Sequence, residues 1–234
     1  MRVLSIISED TMKNNILNIK RRLTVTILFS HFYFITKALA SPPQSLPLEQ
    51  LLDHEKYPQI IKAIITKAYN LEQQNLTYLY GSDDPKKGGM DCSGAISYLL
   101  KSFLPRLTFR QANEIYKWVW QEGQFYAVNG HSFNSFEFDK LQPGDLLFWR
   151  GTYEIHRDPP ITHVMLYLGK NKKQQRVMFG SSDGRSYEGN KIYGVSVFDF
   201  KLPDQNSSAQ FIGYSCIPFL SCEKKANIYT QKNS

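Results

Sequence analysis

Cysteine is scarce in this 234-residue chain, which has three: Cys92, Cys216 and Cys222. None has a second Cys or His at ligand spacing, so no metal site is expected, and nothing in the sequence calls for an organic cofactor. Beyond Ala40 no apolar run is long enough to cross a bilayer. Internal repeats and low-complexity tracts are also missing, which argues against solenoid and disordered classes. An excess of one charge is nearly absent once the formal +7 is partitioned. Residues 1–40 contribute +4 of it, and the remainder carries only +3. So mild a balance gives no reason to expect a nucleic-acid partner.

What is present begins with a leader. Lys20-Arg21-Arg22 precedes a largely apolar stretch from Leu23 that ends in Ala38-Leu39-Ala40. A basic region, an apolar region and a small-x-small end form a secretory signal, with cleavage expected before Ser41. Met12 is an alternative start, and a retained anchor is the competing reading; His31, Tyr33 and Lys37 weaken it. With cleavage, no stable membrane insertion is expected. The expected organisation is a signal peptide over 1–40, a linker and lead-in helix over 41–59, a hydrolase domain over 60–218 and a tail over 219–234. In an oxidising compartment Cys216 and Cys222 could pair across a short loop, leaving Cys92 as the odd thiol.

Cys92 lies in Asp91-Cys92-Ser93-Gly94, behind Gly88-Gly89-Met90. Ala95, Ile96, Leu99, Leu100 and Phe103 recur at helical spacing, which places Cys92 in the first turn of a helix capped by Asp91. The helix dipole and free N–H groups there are expected to favour the thiolate, the nucleophilic form. A buried structural cysteine is the plainer alternative. Further along, Leu48 to Gln74 reads as helix broken at Pro58, and Thr108 opens another with Gln111 in a capping box. From Leu141 onward five strand-like segments follow, at 145–149, 161–168, 176–182, 195–200 and 211–217. Helices followed by an antiparallel sheet make an α+β chain.

His163 sits in the strand segment Ile161 to Gly169, where alternation puts it on one side with Met165 and Tyr167. Alone, a histidine in an apolar strand reads as a hydrogen-bonded core residue. Paired with an orphan thiol at a helix start, it becomes a candidate base.

Tyr80-Gly81, Asp91-Cys92-Ser93-Gly94, Leu104-Pro105-Arg106, Leu141-Gln142-Pro143-Gly144-Asp145-Leu146-Leu147-Phe148, and Thr162-His163-Val164 with Tyr167-Leu168-Gly169 follow one another in order. This series resembles the NlpC-type cysteine peptidases, papain-like bacterial enzymes that cut the peptide stems of peptidoglycan, over about residues 60–218. The resemblance implies a papain-like α+β fold, with the nucleophile helix packed on an antiparallel sheet. It further implies Cys92 as nucleophile, His163 as base, Tyr80 supporting the oxyanion site, and Asp91 and Ser93 positioning substrate. The family also expects a polar residue after the histidine to orient the imidazole. Alignment of Val177 to Ser182 puts Phe179 there, and direct spacing puts Gln175 there. A lengthened loop over 170–175 favours Phe179, which cannot accept a hydrogen bond. Ser181, a main-chain carbonyl or a water would then hold the ring.

Two aromatic segments, 121–140 and 151–160, either wall the cleft or are surface excursions. The expected function is that of an exported endopeptidase, in the periplasm, cell envelope or secreted, hydrolysing peptidoglycan stem peptides. A thiol amidase or acyltransferase of the same fold, and a catalytically impaired wall-binding module, are the alternatives.

Overall fold

The computed structural model describes residues 46–222, so the leader and the last twelve residues lie outside it. Pro58 ends a lead-in of two short 3-10 turns (Leu48–Gln50 and His54–Lys56) and caps helix α1 (Gln59–Glu72). Its buried face, Ile61, Ile64, Ile65 and Ala68, recurs at three- and four-residue steps, as an amphipathic helix requires. Strands β1 (Thr77–Tyr78) and β2 (Gly89–Met90) pair in parallel and lead into α2 (Cys92–Lys101). Helix α3 (Ala112–Glu122) starts three residues later than Thr108 suggested. Its capping box is Gln111 with Glu114, because the Glu114 carboxylate accepts from the Gln111 N–H at 2.8 Å.

The main sheet has six strands: β3 (Phe125–Ala127), β4 (Leu146–Arg150), β5 (Ile161–Lys170), β6 (Arg176–Ser182), β9 (Gly194–Asp199) and β10 (Gln210–Ser215). Their order is β3-β10-β4-β5-β6-β9, and every pairing is antiparallel. A small hairpin of β7 (Ser186–Tyr187) and β8 (Asn190–Lys191) projects between β6 and β9. The chain is therefore α+β, as its pattern of segments indicated. All five strand-like segments are strands of this sheet; β3 completes it, and it was missed from sequence together with the two-residue strands β1, β2, β7 and β8.

Strand alternation divides the core in two. Leu146, Phe148, Val164, Leu166, Val177, Phe179 and Val197 face the helices. Leu147, Trp149, Met165, Tyr167, Met178 and Phe198 form the other face. That second face is sealed by Val128, Phe133 and Phe138 of the 121–140 segment, with Phe200, Phe211 and Tyr214. The aromatics of 121–140 are thus a cover for the sheet rather than a cleft wall. Cys216 and Cys222 are joined in a disulfide just after β10. At the start of β4, Asp145 is buried beside a cavity lined by Tyr57, Tyr126 and Tyr167. It accepts the N–H of Gln142 at 2.8 Å, and burial pushes its carboxyl up to about 7.

No described helix is long and apolar enough to cross a membrane.

Candidate active site

Asp91 organises the start of α2. One carboxylate oxygen accepts the Gly94 N–H at 2.7 Å, the helix cap expected from sequence, and the Ser93 hydroxyl at 3.3 Å. The other accepts the Gly81 N–H at 2.7 Å and pairs with the Arg110 guanidinium. Gly94 is required by this arrangement, since a Cβ there would collide with the Ser82 carbonyl. Gly89 serves similarly, with a Cβ falling 2.8 Å from the Thr77 carbonyl oxygen. Ser181 donates to the Met90 carbonyl at 2.6 Å, tying β6 to the approach of the helix.

These constraints deliver the Cys92 thiol to the edge of β5. The sulfur donates to the Thr162 carbonyl at 3.8 Å and receives the N–H groups of Val164 and Ser93. Thr162 and Val164 flank His163, so the thiol is held against the strand residue that carries the imidazole. Burial dominates its titration. The side chain is only 6% exposed, and burial, followed by the Asp91 charge, pushes the thiol up to about 11. The sequence expectation of a favoured thiolate is therefore overturned for the free protein. Two N–H groups and Arg110 act in the favourable direction, but desolvation of the charge outweighs them.

His163 is 7% exposed and packs edge-on against Trp149, with centroids 5.6 Å apart. Its Nε2 accepts a hydrogen bond from Arg185 Nε at 3.2 Å. Burial, then the Arg185 charge, holds the imidazole well below its ordinary value. At neutral pH the resting pair is thus a thiol and a neutral ring.

Residues 75–188 match the model of the NlpC/P60 family. This domain belongs to the NlpC/P60 family. Such proteins are generally cysteine peptidases or amidases, and membership supports a papain-like, cell-wall peptidase type of function. A solved structure described as similar to an NLP/P60-family lipoprotein, from Staphylococcus aureus subsp. aureus Mu50, is 18% identical with a TM-score of 0.42. The alignment covers 76% of this chain but only 44% of that one, so this chain spans less than half of its neighbour's length. No curated protein matches the chain.

Within the NlpC/P60 domain several expected positions shift. Tyr80 is 70% exposed and stands edge-on to Tyr153 at 6.4 Å. Tyr78, two residues earlier in β1, is half-buried, and burial, then the Cys92 charge, pushes its phenol up. The Tyr80–Tyr153 contact brings the 151–160 segment beside the approach to α2. That segment is anchored by Arg157, whose guanidinium donates to the Ile161 carbonyl and to Gln111 at 2.8 Å.

Neither candidate for the orienting position reaches the imidazole. Gln175 lies in the turn after β5, where its Oε1 accepts from Asn171 at 2.9 Å. His163 is near the opposite end of that strand, seven residues from Lys170 or about 20 Å. Phe179 pairs with Leu166 and is fully buried on the helix-facing side, whereas His163 pairs with Trp149 on the other. Ser181 is engaged by Met90. The residue on the imidazole is Arg185, which sequence reasoning did not single out. It sits just past β6 in Asp183-Gly184-Arg185, and its only signal was a cation shortly after a strand-like segment.

Proposed function

We propose that this chain is an exported cysteine endopeptidase that hydrolyses an amide bond in peptidoglycan stem peptides, such as the link between D-glutamate and the diamino acid. In this reading residues 1–40 are a removable secretory signal, 41–59 a linker and lead-in, 60–218 the hydrolase and 219–234 a tail. The protein acts in the periplasm, at the cell envelope or outside the cell. Cys92 is the nucleophile and His163 the base. The observation that carries the proposal is the position of the Cys92 sulfur, held between the Thr162 carbonyl and the Val164 N–H on either side of His163.

Chemistry follows from that placement. The thiol proton passes to the imidazole as sulfur attacks the amide carbonyl, forming the S–C bond and placing negative charge on oxygen. N–H groups at the start of α2, with the phenols of Tyr78 and Tyr80 at the rim, are the donors available to that oxygen. Collapse breaks the C–N bond, and the imidazolium returns its proton to the leaving amine. Water, deprotonated by the same imidazole, then cleaves the thioester and regenerates the thiol. Asp91 and Ser93 hold the helix start in register with this sequence.

A second reading has specific support. A neutral thiol beside an imidazole already occupied by Arg185 suits a catalytically impaired wall-binding module. Incubation of the 41–234 protein with purified sacculi, with released peptides identified by mass, separates the readings. Release of stem fragments by the wild type and none by Cys92→Ala is expected. Sedimentation with sacculi without peptide release would overturn the enzymatic proposal, and release of a product other than a cut stem would indicate the amidase or acyltransferase alternative.

A further inference from the structure

Arg185 is a half-buried cation whose guanidinium is turned onto the imidazole. Among the described residues it takes part in no ion pair, whereas Arg110, on the other side of the thiol, is neutralised by Asp91. Its guanidinium lies over the Trp149 ring at 4.6 Å, and its Nε–H is spent on His163. Its own titration is depressed to about 10, chiefly by burial, and the charges of Cys92 and Asp183 act on it in the opposite sense. The backbone is fixed as well: the Arg185 N–H donates to Ser182 Oγ at 3.3 Å, and its carbonyl accepts from Ile192 at 2.9 Å. A guanidinium partly withdrawn from water and held in no ion pair is favourably placed to take a partner anion.

The hydrogen bond to His163 has a chemical consequence. An arginine Nε–H can only donate, so Nε2 of His163 must accept and the neutral ring carries its proton on Nδ1. Both ring nitrogens are then engaged, and the imidazole has no free lone pair with which to take the thiol proton. A base in this state is blocked until Arg185 withdraws from Nε2.

We propose that Arg185 recognises a substrate carboxylate next to the scissile amide, and that this engagement draws the guanidinium off His163 and frees the imidazole to act. The ligand class is an anionic peptide with a free carboxylate on the residue at the cleaved bond. A planar fork of donors suits a carboxylate, which it can hold with two parallel hydrogen bonds. The substrate's anion then supplies the direct ion pair that Arg185 does not make among the described residues. A substrate with the carboxylate amidated leaves Arg185 on the ring and is turned over poorly. This inference builds on the proposed hydrolysis but is separable from it, because an anion subsite beside Cys92 also governs simple thiol chemistry.

Alkylation of Cys92 by iodoacetate and by iodoacetamide tests the subsite without any peptide. In the wild type, iodoacetate is favoured relative to its ratio on a free model thiol. In Arg185→Gln that preference falls by about 10-fold, the scale of one charge-assisted hydrogen bond. Arg185→Lys keeps the charge and retains most of the preference, and it serves if the Gln variant does not fold. An iodoacetate-to-iodoacetamide ratio unchanged in Arg185→Gln, or no higher in the wild type than on the model thiol, overturns the proposal. With stem peptides, the free acid is expected to exceed its amide in kcat/KM, with much of the gain in kcat, and Arg185→Gln should equalise the two. Equal turnover of acid and amide by the wild type also overturns it. If no peptide is cut but the alkylation preference is present and Arg185-dependent, the enzymatic reading fails and the anion subsite stands.

Discussion

Asp91 holds the helix start together and also restrains the nucleophile, so removing its charge should push stability and thiol reactivity in opposite directions. Asp91→Ala deletes the helix cap on Gly94, the bond from Gly81 and the partner of Arg110. The cap contributes about 1 kcal/mol and the Gly81 bond a similar amount. Stranding Arg110, whose side chain is three-quarters buried, adds less than the 3–5 kcal/mol of a wholly buried pair. The total is about 3–5 kcal/mol, or a fall in Tm of roughly 6–20 °C for a domain of this size. Asp91→Asn keeps a competent cap and loses only the charge, so its Tm should fall by less. The Asp91 charge also raises the thiol. In Asp91→Asn the inflection of Cys92 alkylation against pH should therefore move down, with Arg110 released from its partner acting in the same direction. Thermal melts and an iodoacetamide pH series on the two variants measure both effects. An Asp91→Ala melt within about 2 °C of wild type, or an Asp91→Asn inflection at or above the wild-type one, would refute the account of Asp91.

For the wild type, the alkylation rate should keep rising with pH past about 8.5, the ordinary cysteine value, towards about 11; an inflection below 8.5 would show that burial does not govern the free thiol. Asp145→Asn should raise stability at pH 8 and change little at pH 4. The folded carboxyl titrates near 7, above its unfolded value, so the native state is penalised as pH rises through 7, by at most about 4 kcal/mol; a Tm gain that is the same at both pH values would contradict this. Phe179→His should lower stability by about 3–5 kcal/mol without improving turnover, since the ring lies across the sheet from His163, and any rise in kcat would count against the register. Gln175→Ala should leave kinetics within about 2-fold, because its partner is Asn171; a larger defect would do the same.

The parts legible in the sequence were those set by local periodicity. Five of the sheet's strands, the thiol helix and its Asp91 cap all follow from short-range pattern, and each occupies the expected stretch. What escaped depends on distance in space. That Tyr80 is exposed while Tyr78 is half-buried depends on β1 ending at Tyr78, a boundary too short-ranged to be read from pattern. The orienting position was sought at a fixed offset from His163, but β5 runs on to Lys170 and its neighbour reaches the imidazole only beyond its own end, through Arg185. The thiol's titration was misjudged because the dipole of a helix start is visible in sequence, whereas the depth at which the packed sheet buries it is not.

The Cys216–Cys222 bridge decides a competition that every oxidised copy of this chain must go through. Three thiols allow three pairings, and two of them would consume Cys92. The native partners are separated by 6 residues, while Cys92 is more than 120 away from either. Loop closure alone favours the short pairing by about 2.7 kcal/mol, or close to 100-fold in encounter. Once α2 has buried the remaining sulfur against β5, exchange with the bridge requires the helix start to open. The spacing of two cysteines near the end of the domain thus biases oxidation towards their own pairing and leaves the third thiol free.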